Sequence, residues 1–179
     1  YRLAFAVLLM TPFILFKGTE EFKKVDGKSL GWTFLSGVFL TLHFATWISS
    51  LQYITVSSSV VLVALQPVFV AIGSWLFLKE KIPFKVSLMG GIALIGTFII
   101  GIGDLQLGRE ALWGDFLAIA GALFAALYWM VGRYARRNLS VTIYTYLVYS
   151  ISASLLLALA FFQGLPLLAY PAREWLLFL

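Results

Sequence analysis

The chain has 179 residues, of which 61% are hydrophobic and 12% are charged. Soluble domains are about 45–50% apolar and about 25% charged, so this composition excludes a single water-soluble core and indicates a membrane protein. The net charge of +5 does not indicate nucleic acid, because the basic residues lie in short loops between apolar runs. With no cysteine and one histidine, we predict no disulfide framework, no metal site and no cofactor.

Seven apolar runs are candidates for membrane-spanning helices, each of which needs about 20 residues. The runs are apolar on every side, which favours helices over the alternating segments of a β-barrel. We predict six helices and the start of a seventh, at residues 1–16, 30–54, 56–78, 82–103, 111–132, 141–162 and from about Arg173. Since both ends of the chain interrupt apolar runs, we expect a fragment of a longer protein.

The basic residues concentrate in alternate loops. Ten of the 13 are Lys17, Lys23, Lys24 and Lys28, then Lys79, Lys81 and Lys85, then Arg133, Arg136 and Arg137. Lysine and arginine near helix ends stay on the cytoplasmic side of a membrane. The pattern therefore predicts that these three loops are cytoplasmic and that the first helix runs from outside to inside.

Small residues spaced four apart form stripes on three predicted helices. Such stripes let helix backbones approach closely in lipid, and they fit either static packing or a sliding seam. The stripes are Gly37, Thr41, Ala45 and Ser49; Ala93, Thr97 and Gly101; and Gly114, Ala118, Ala122 and Ala126.

Polar residues near mid-membrane suggest a binding site. His43 lies at the centre of the second predicted helix, and Trp47 follows one turn later on the same face. Gln66 and Pro67 lie at the centre of the third, where proline removes an amide donor and kinks the helix. A short turn makes these helices antiparallel neighbours, so their centres lie at matched depth. We predict that His43, Trp47 and Gln66 line a cavity shaped by Pro67, as in transporters with broken helices.

Each of these residues also has a purely structural interpretation. His43 and Gln66 fit interhelical hydrogen bonds equally well, and Pro67 fits a simple kink. Trp129 is a weaker binding candidate, because with Tyr128 it also fits an interfacial aromatic belt. Three serines of the sixth predicted helix are expected to bond to their own backbone. They are Ser150, Ser152 and Ser154.

Acidic residues are expected to have structural roles. Glu80, just after the third predicted helix, is predicted to stabilise structure and orientation. Asp115 is placed near a helix end as well. His43 is then the one candidate for a proton relay in these runs.

The central stretch of the chain resembles the EamA branch of the drug/metabolite transporter superfamily. The resemblance rests on the order of features in LQYITVSSSVVLVALQPVFVAIGSWLFLKEKI and GGIALIGTFIIG, and extends to GDFLAIAGALFAALYWMVGRYARR. The matching features are Gln52 and Tyr53, the serines 57–59, Pro67, Glu80, and the pair Gly90 and Gly91.

This resemblance implies a ten-helix fold of two inverted five-helix repeats. Residues 1–103 would be a first repeat lacking its first helix, and residues 104–179 the start of a second. The expected function is transport of a small metabolite, such as an amino acid or similar polar solute, through the cell membrane by alternating access. The alternatives are a structural or assembly subunit, an ion channel, which lacks a recognisable filter, and a membrane-embedded enzyme. We predict that the protein is not an enzyme, because the chain shows no nucleophile, metal cluster or paired carboxylates.

Overall fold

A computed structural model describes residues 1–18, 22, 25–105 and 108–165 of the chain. Throughout these residues the regular structure is helical. The helices are α1 Arg2–Phe13, continued by a π-helical turn Ile14–Gly18, α2 Gly27–Ser50, α3 Val56–Val63, α4 Gln66–Leu78, α5 Phe84–Leu105, α6 Arg109–Ala135 and α7 Val141–Phe162. This confirms the all-α fold class. The seventh predicted helix lies outside the described residues.

Five of the helical segments are long and apolar enough to cross a membrane. They are Gly27–Ser50, Val56–Phe77, which joins α3 and α4, Phe84–Gly103, Arg109–Ala135 and Val141–Phe162. The first apolar helix, Arg2–Phe16, is shorter. The described part of the chain is therefore an integral membrane helical protein, as the composition predicts.

The start of α2 differs from the prediction because a polar residue caps it. The carbonyl of Asp26 accepts the N–H of Leu30 at 3.0 Å, so the helix begins at Gly27 instead of residue 30. The hydroxyl of Ser29 donates to the Asp26 carboxylate and holds its pKa below the usual value. Because this cap lies before the apolar run, hydropathy alone places the start too late.

The third predicted helix is two helices. We expected one helix kinked at Pro67, but α3 ends at Val63 and α4 begins at Gln66. Between them the N–H of Leu65 bonds to the carbonyl of Leu62 at 3.1 Å, a tighter turn than an α-helix makes. Pro67 then lies in the first turn of α4, where an amide hydrogen is not needed.

The chain forms two compact units, Tyr1–Thr41 with Val131–Leu179, and Leu42–Met130. Their boundaries fall inside α2 and α6. In the first unit, α1 packs against α7, and the contact of α2 with α7 is partly polar. Ser36 Oγ lies 2.6 Å from Tyr144 Oη, and Thr41 donates to Ser152 at 3.2 Å.

The contact between α2 and α7 shows that one of the three predictions for the serines of α7 is wrong. Ser150 and Ser154 bond to backbone carbonyls one turn earlier, as predicted. Ser152 instead is fully buried and accepts the hydroxyl of Thr41. The partner given for the Ser152 hydroxyl is therefore on the neighbouring helix α2.

In the second unit, α6 supplies the buried seam. Ala118, Ala122 and Ala126 are at most 1% exposed, so the predicted stripe is a close packing face. At Gly114 an added Cβ would lie 2.8 Å from Ile54 Cγ2, which only glycine avoids. Ile54 and Ala118 belong to the core cluster of this unit, together with Leu62 and Ala111.

The small-residue stripe on α5 is not buried as the stripe on α6 is. None of the most apolar stretch of α5 is buried within the described structure. Its residues Ala93, Thr97 and Gly101 are partly exposed. Spacing alone thus predicts a small-residue face but not which helix covers it.

Candidate functional site

His43 is buried in the second unit and bonded to a neighbouring helix. It is 8% exposed, and its Nδ1 lies 2.9 Å from the carbonyl oxygen of Gly121 in α6. A carbonyl oxygen only accepts hydrogen bonds, so Nδ1 carries the proton that is shared. In the neutral imidazole this leaves Nε2 as an acceptor. The histidine thus makes the interhelical bond of the structural interpretation while keeping one nitrogen for another partner.

Trp47 stacks on the histidine one turn further along α2. The ring centroids are 5.5 Å apart and the planes are inclined by 24°. Phe44 lies against both rings, 4.9 Å from His43 and 6.1 Å from Trp47. The indole Nε1–H is buried and has no hydrogen-bond partner among the described residues. A buried donor of this kind costs about 1–3 kcal/mol, so the position calls for an explanation.

Gly121 allows α6 to come close enough for the bond with His43. A Cβ at this position would lie 3.2 Å from Thr46 Oγ1 and 3.3 Å from Trp47 Cβ. Gly121 is therefore a positioning residue for both rings. It was not among the sequence-predicted site residues, and the one available signal was a lone glycine beside the alanine stripe of α6.

The structure does not join the other predicted binding residues to His43 and Trp47 by hydrogen bonds or ring contacts among the described residues. Gln66 is partly exposed at the start of α4, and Pro67 is exposed. Among the described residues, no hydrogen bond or ring contact joins Gln66 to His43 or Trp47. Trp129 is 47% exposed and lies against Tyr128, with ring centroids 5.5 Å apart. The roles of Gln66, Pro67 and Trp129 in binding remain predictions.

Glu80 follows an unusual helix end. Lys79 has φ 54°, in the left-handed region, and the N–H of Glu80 bonds to the carbonyl of Ser74 at 3.3 Å. This arrangement closes the last turn of α4 in the manner of a Schellman motif, which usually uses glycine. The backbone of Glu80 thus has a structural task, and the structural role of its side chain remains a prediction.

Asp115 is a buried carboxylate that sequence reasoning placed at a helix end. It is 7% exposed and lies in the second turn of α6. Its spacing from Ala111 and Ala118 puts all three on one helix face, which would have signalled its burial. Acidic residues buried in membrane-spanning segments commonly have functional roles, so Asp115 joins His43 as a candidate polar group of this unit.

Comparison with known proteins extends the resemblance to most of the chain. Residues 1–102 and 112–179 match the EamA-like transporter family. A Bacillus subtilis (strain 168) protein named "Uncharacterized transporter YetK" is 29% identical over 143 residues, which cover 78% of this chain and 43% of that protein. The chain therefore spans less than half the length of this relative. No solved structure matches the chain significantly. By the extent of the family match, the chain belongs to the EamA-like transporter family.

Proposed function

We propose that the full-length protein carries a small polar solute, such as an amino acid, across the cell membrane by alternating access around a midplane site at His43 and Trp47. Family membership and the apolar helices make the chain part of a membrane transporter. The finer proposal rests on the His43–Trp47 pair. It combines a fixed imidazole with a buried indole donor that has no partner in the described structure.

The pair offers two complementary hydrogen-bonding groups. With Nδ1–H committed to Gly121, neutral His43 can accept at Nε2, while Trp47 can donate from Nε1. A solute that carries both donors and acceptors, as an amino acid does, matches this combination. The stacked rings add an apolar wall, and a cationic group facing the indole would gain a cation–π contact.

The rest of the proposal concerns architecture. Residues 1–103 and 104–179 would belong to two inverted repeats of a ten-helix transporter. Gln66 and Trp129 would contribute to the same cavity, with the interruption at Pro67 shaping it. The tight turn between α3 and α4, just before Pro67, supports this, because interrupted helices near mid-membrane are common at transporter binding sites.

A ligand-stabilisation experiment tests the site. Full-length protein in detergent is heated in the presence of each of the standard amino acids, and the unfolding temperature is measured. At least one amino acid should raise it in proportion to the logarithm of its concentration. Trp47→Phe keeps most of the ring but removes the N–H. The variant should need an amino-acid concentration about tenfold higher or more for the same rise in unfolding temperature. The reason is that a hydrogen bond in such a site contributes about 1–2 kcal/mol.

The solute-free variant provides an internal check. Removing a buried donor without a partner should leave the stability of Trp47→Phe unchanged or slightly raised. Trp113→Phe is the matched control, since Trp113 is 52% exposed and should behave as wild type in both measurements. Equal stabilisation of wild type and Trp47→Phe would remove the indole from the site. A well-folded protein that no solute stabilises would favour an assembly subunit instead.

A further inference from the structure

The hydrogen bond between His43 and Gly121 leaves the imidazole ring one atom at which its charge can change. Nδ1 lies 2.9 Å from the carbonyl oxygen of Gly121, which only accepts hydrogen bonds, so Nδ1 holds a hydrogen in the neutral ring and in the charged ring alike. Nε2 carries a lone pair in the neutral ring and an N–H in the imidazolium ion. Within the described residues Nε2 makes no hydrogen bond, so a proton can bind there without displacing a protein group.

The surroundings of the ring accommodate both charge states. The carbonyl of Gly121 accepts the Nδ1–H whether or not Nε2 is protonated. Trp47 stacks on the ring with centroids 5.5 Å apart and planes inclined by 24°, and an aromatic face attracts a cation within about 6 Å of its centre. Protonation at Nε2 therefore changes the charge of His43 while both contacts that hold the ring remain.

His43 is the group of this region whose charge changes near neutral pH. It is the single histidine of the chain, and the other residues from 42 to 50 of α2 are not ionisable. On α6, which packs against the ring, the ionisable residues nearest to Gly121 along the chain are Asp115 and Tyr128. They lie about 9 and about 10 Å from Gly121 along the helix axis. In the described structure neither of them contacts the imidazole ring, so the ring is not tied to a second titrating group.

A solute donor and a proton require the same lone pair of Nε2. In the proposed site the ammonium group of an amino acid donates to Nε2 of the neutral ring. The imidazolium ion instead presents an N–H and a positive charge at that atom, and both oppose an ammonium group. The two bound states exclude each other. By thermodynamic linkage, the solute weakens proton binding to the same extent as the proton weakens solute binding.

We propose that Nε2 of His43 exchanges a proton for the ammonium group of the solute, so that one proton moves against each amino acid carried. This exchange rests on the proposed function, because it requires the solute to bind at His43. When the solute binds, the Nε2–H bond of the imidazolium ion breaks and the proton passes to water. The lone pair left on Nε2 accepts an N–H of the ammonium group, and the buried Nε1–H of Trp47 is left to bind the carboxylate. A solute without an amine would lack the group that competes with the proton.

The first test is the pH dependence of ligand stabilisation in the full-length protein in detergent. For each standard amino acid except histidine, the concentration that raises the unfolding temperature by a fixed amount is measured between about pH 5 and about pH 7, where histidine titrates. The ammonium and α-carboxylate groups of these ligands keep their charges over this range. In the wild type the required concentration should rise as the pH falls, approaching about tenfold per pH unit, because one proton competes with one ligand.

His43→Gln separates titration from hydrogen bonding, since glutamine retains a carbonyl acceptor but binds no proton in this range. In this variant the required concentration should not change with pH. Glu110→Gln is the matched control, because it removes an exposed carboxylate at the start of α6 and should keep the wild-type slope. Loss of the slope in Asp115→Asn together with its retention in His43→Gln would place the proton on Asp115 and overturn the proposal.

A pH gradient tests the direction of exchange in the wild type alone, so this measurement does not depend on the folding of a variant. Proteoliposomes are prepared at about pH 6 inside and about pH 8 outside, with potassium and valinomycin to hold the membrane potential at zero. Radiolabelled amino acids should accumulate inside above their external concentration and should leave when the gradient is reversed. Accumulation only with an acidic exterior would mean that proton and solute move together, which would contradict the exchange.

The outcomes distinguish the exchange from the proposed function. Stabilisation of the wild type that does not vary with pH, or a slope that persists in His43→Gln, would reject the exchange and leave the solute site in place. A well-folded protein that no amino acid stabilises at any pH would reject both.

Discussion

Lys79 ends α4 in the left-handed conformation, which costs residues other than glycine roughly 1–2 kcal/mol. We predict that Lys79→Gly raises the unfolding temperature of the protein in detergent. The gain in the free energy of unfolding should be up to about 1 kcal/mol, because the conformational entropy that glycine loses on folding offsets part of the relieved strain. Lys81→Gly, two residues later, relieves no such strain and should not stabilise. A lower unfolding temperature for Lys79→Gly would show that the lysine side chain stabilises this helix end.

Gly132 is a second position where a single atom decides the packing. Gly132→Ala would place a Cβ against Tyr144 Cζ at 2.8 Å and overlap its hydroxyl, so we predict a loss of about 1–3 kcal/mol of stability. Adding Tyr144→Phe removes the hydroxyl and should restore part of this loss. Gly96→Ala is the control, since nothing lies within 4 Å of that site and alanine favours the helix. Equal stability of Gly132→Ala and Gly96→Ala, measured by thermal unfolding, would contradict the packing.

Among the site residues, the sequence could predict the His43–Trp47 stack but not its partner. Residues four apart on a helix share a face, and that spacing is visible in the chain. The bond to Gly121 joins residues 78 positions apart and depends on how closely α6 approaches α2. Only the folded arrangement specifies that distance. Asp115 was missed because its place near the start of an apolar run suggested exposure, whereas its helix face packs inward.

At the scale of elements, helix ends were harder to predict than helix positions. The predicted and observed bounds of α7 agree at residues 141–162, where Ser140 caps the start at the edge of the apolar run. The start of α2 depends on Asp26, and the end of α4 on a left-handed lysine. These features involve backbone hydrogen bonds that hydropathy does not report. Proline pointed to a distortion in the third run, but whether it bends a helix or divides it depends on local packing.

The buried seam of α6 gives a prediction for one element. Ala118 is fully buried beside Ile54 and Leu62, so Ala118→Leu adds volume where there is no room and should cost about 1–3 kcal/mol. Ala93→Leu makes the same change on α5, whose central stretch is not buried in the described structure, and should be nearly neutral. The measurement compares the unfolding temperatures of the Ala118→Leu and Ala93→Leu variants. Comparable losses in the two variants would mean that α6 has no special packing role.

At the scale of the whole molecule, charge placement predicts orientation in the membrane. This chain contains no cysteine, so single cysteines introduced into it can be tested with an impermeant thiol reagent on intact cells. Cysteines at Lys28, Lys81 and Arg137 should stay unlabelled until the cells are opened, because these loops hold most of the basic residues. A cysteine at Gly108, between α5 and α6, should be labelled from outside. Labelling of any of the first three from outside would reverse the predicted topology.

The most direct measurement of the proposed function is uptake of radiolabelled amino acids by proteoliposomes that contain the full-length protein, with rates normalised to inserted protein. We predict uptake by the wild type and a loss of at least tenfold in His43→Ala and Trp47→Phe, with a smaller loss in Gln66→Leu. Trp113→Phe should transport as the wild type does. Wild-type rates in both His43→Ala and Trp47→Phe would place the solute elsewhere and leave these rings as packing groups between α2 and α6.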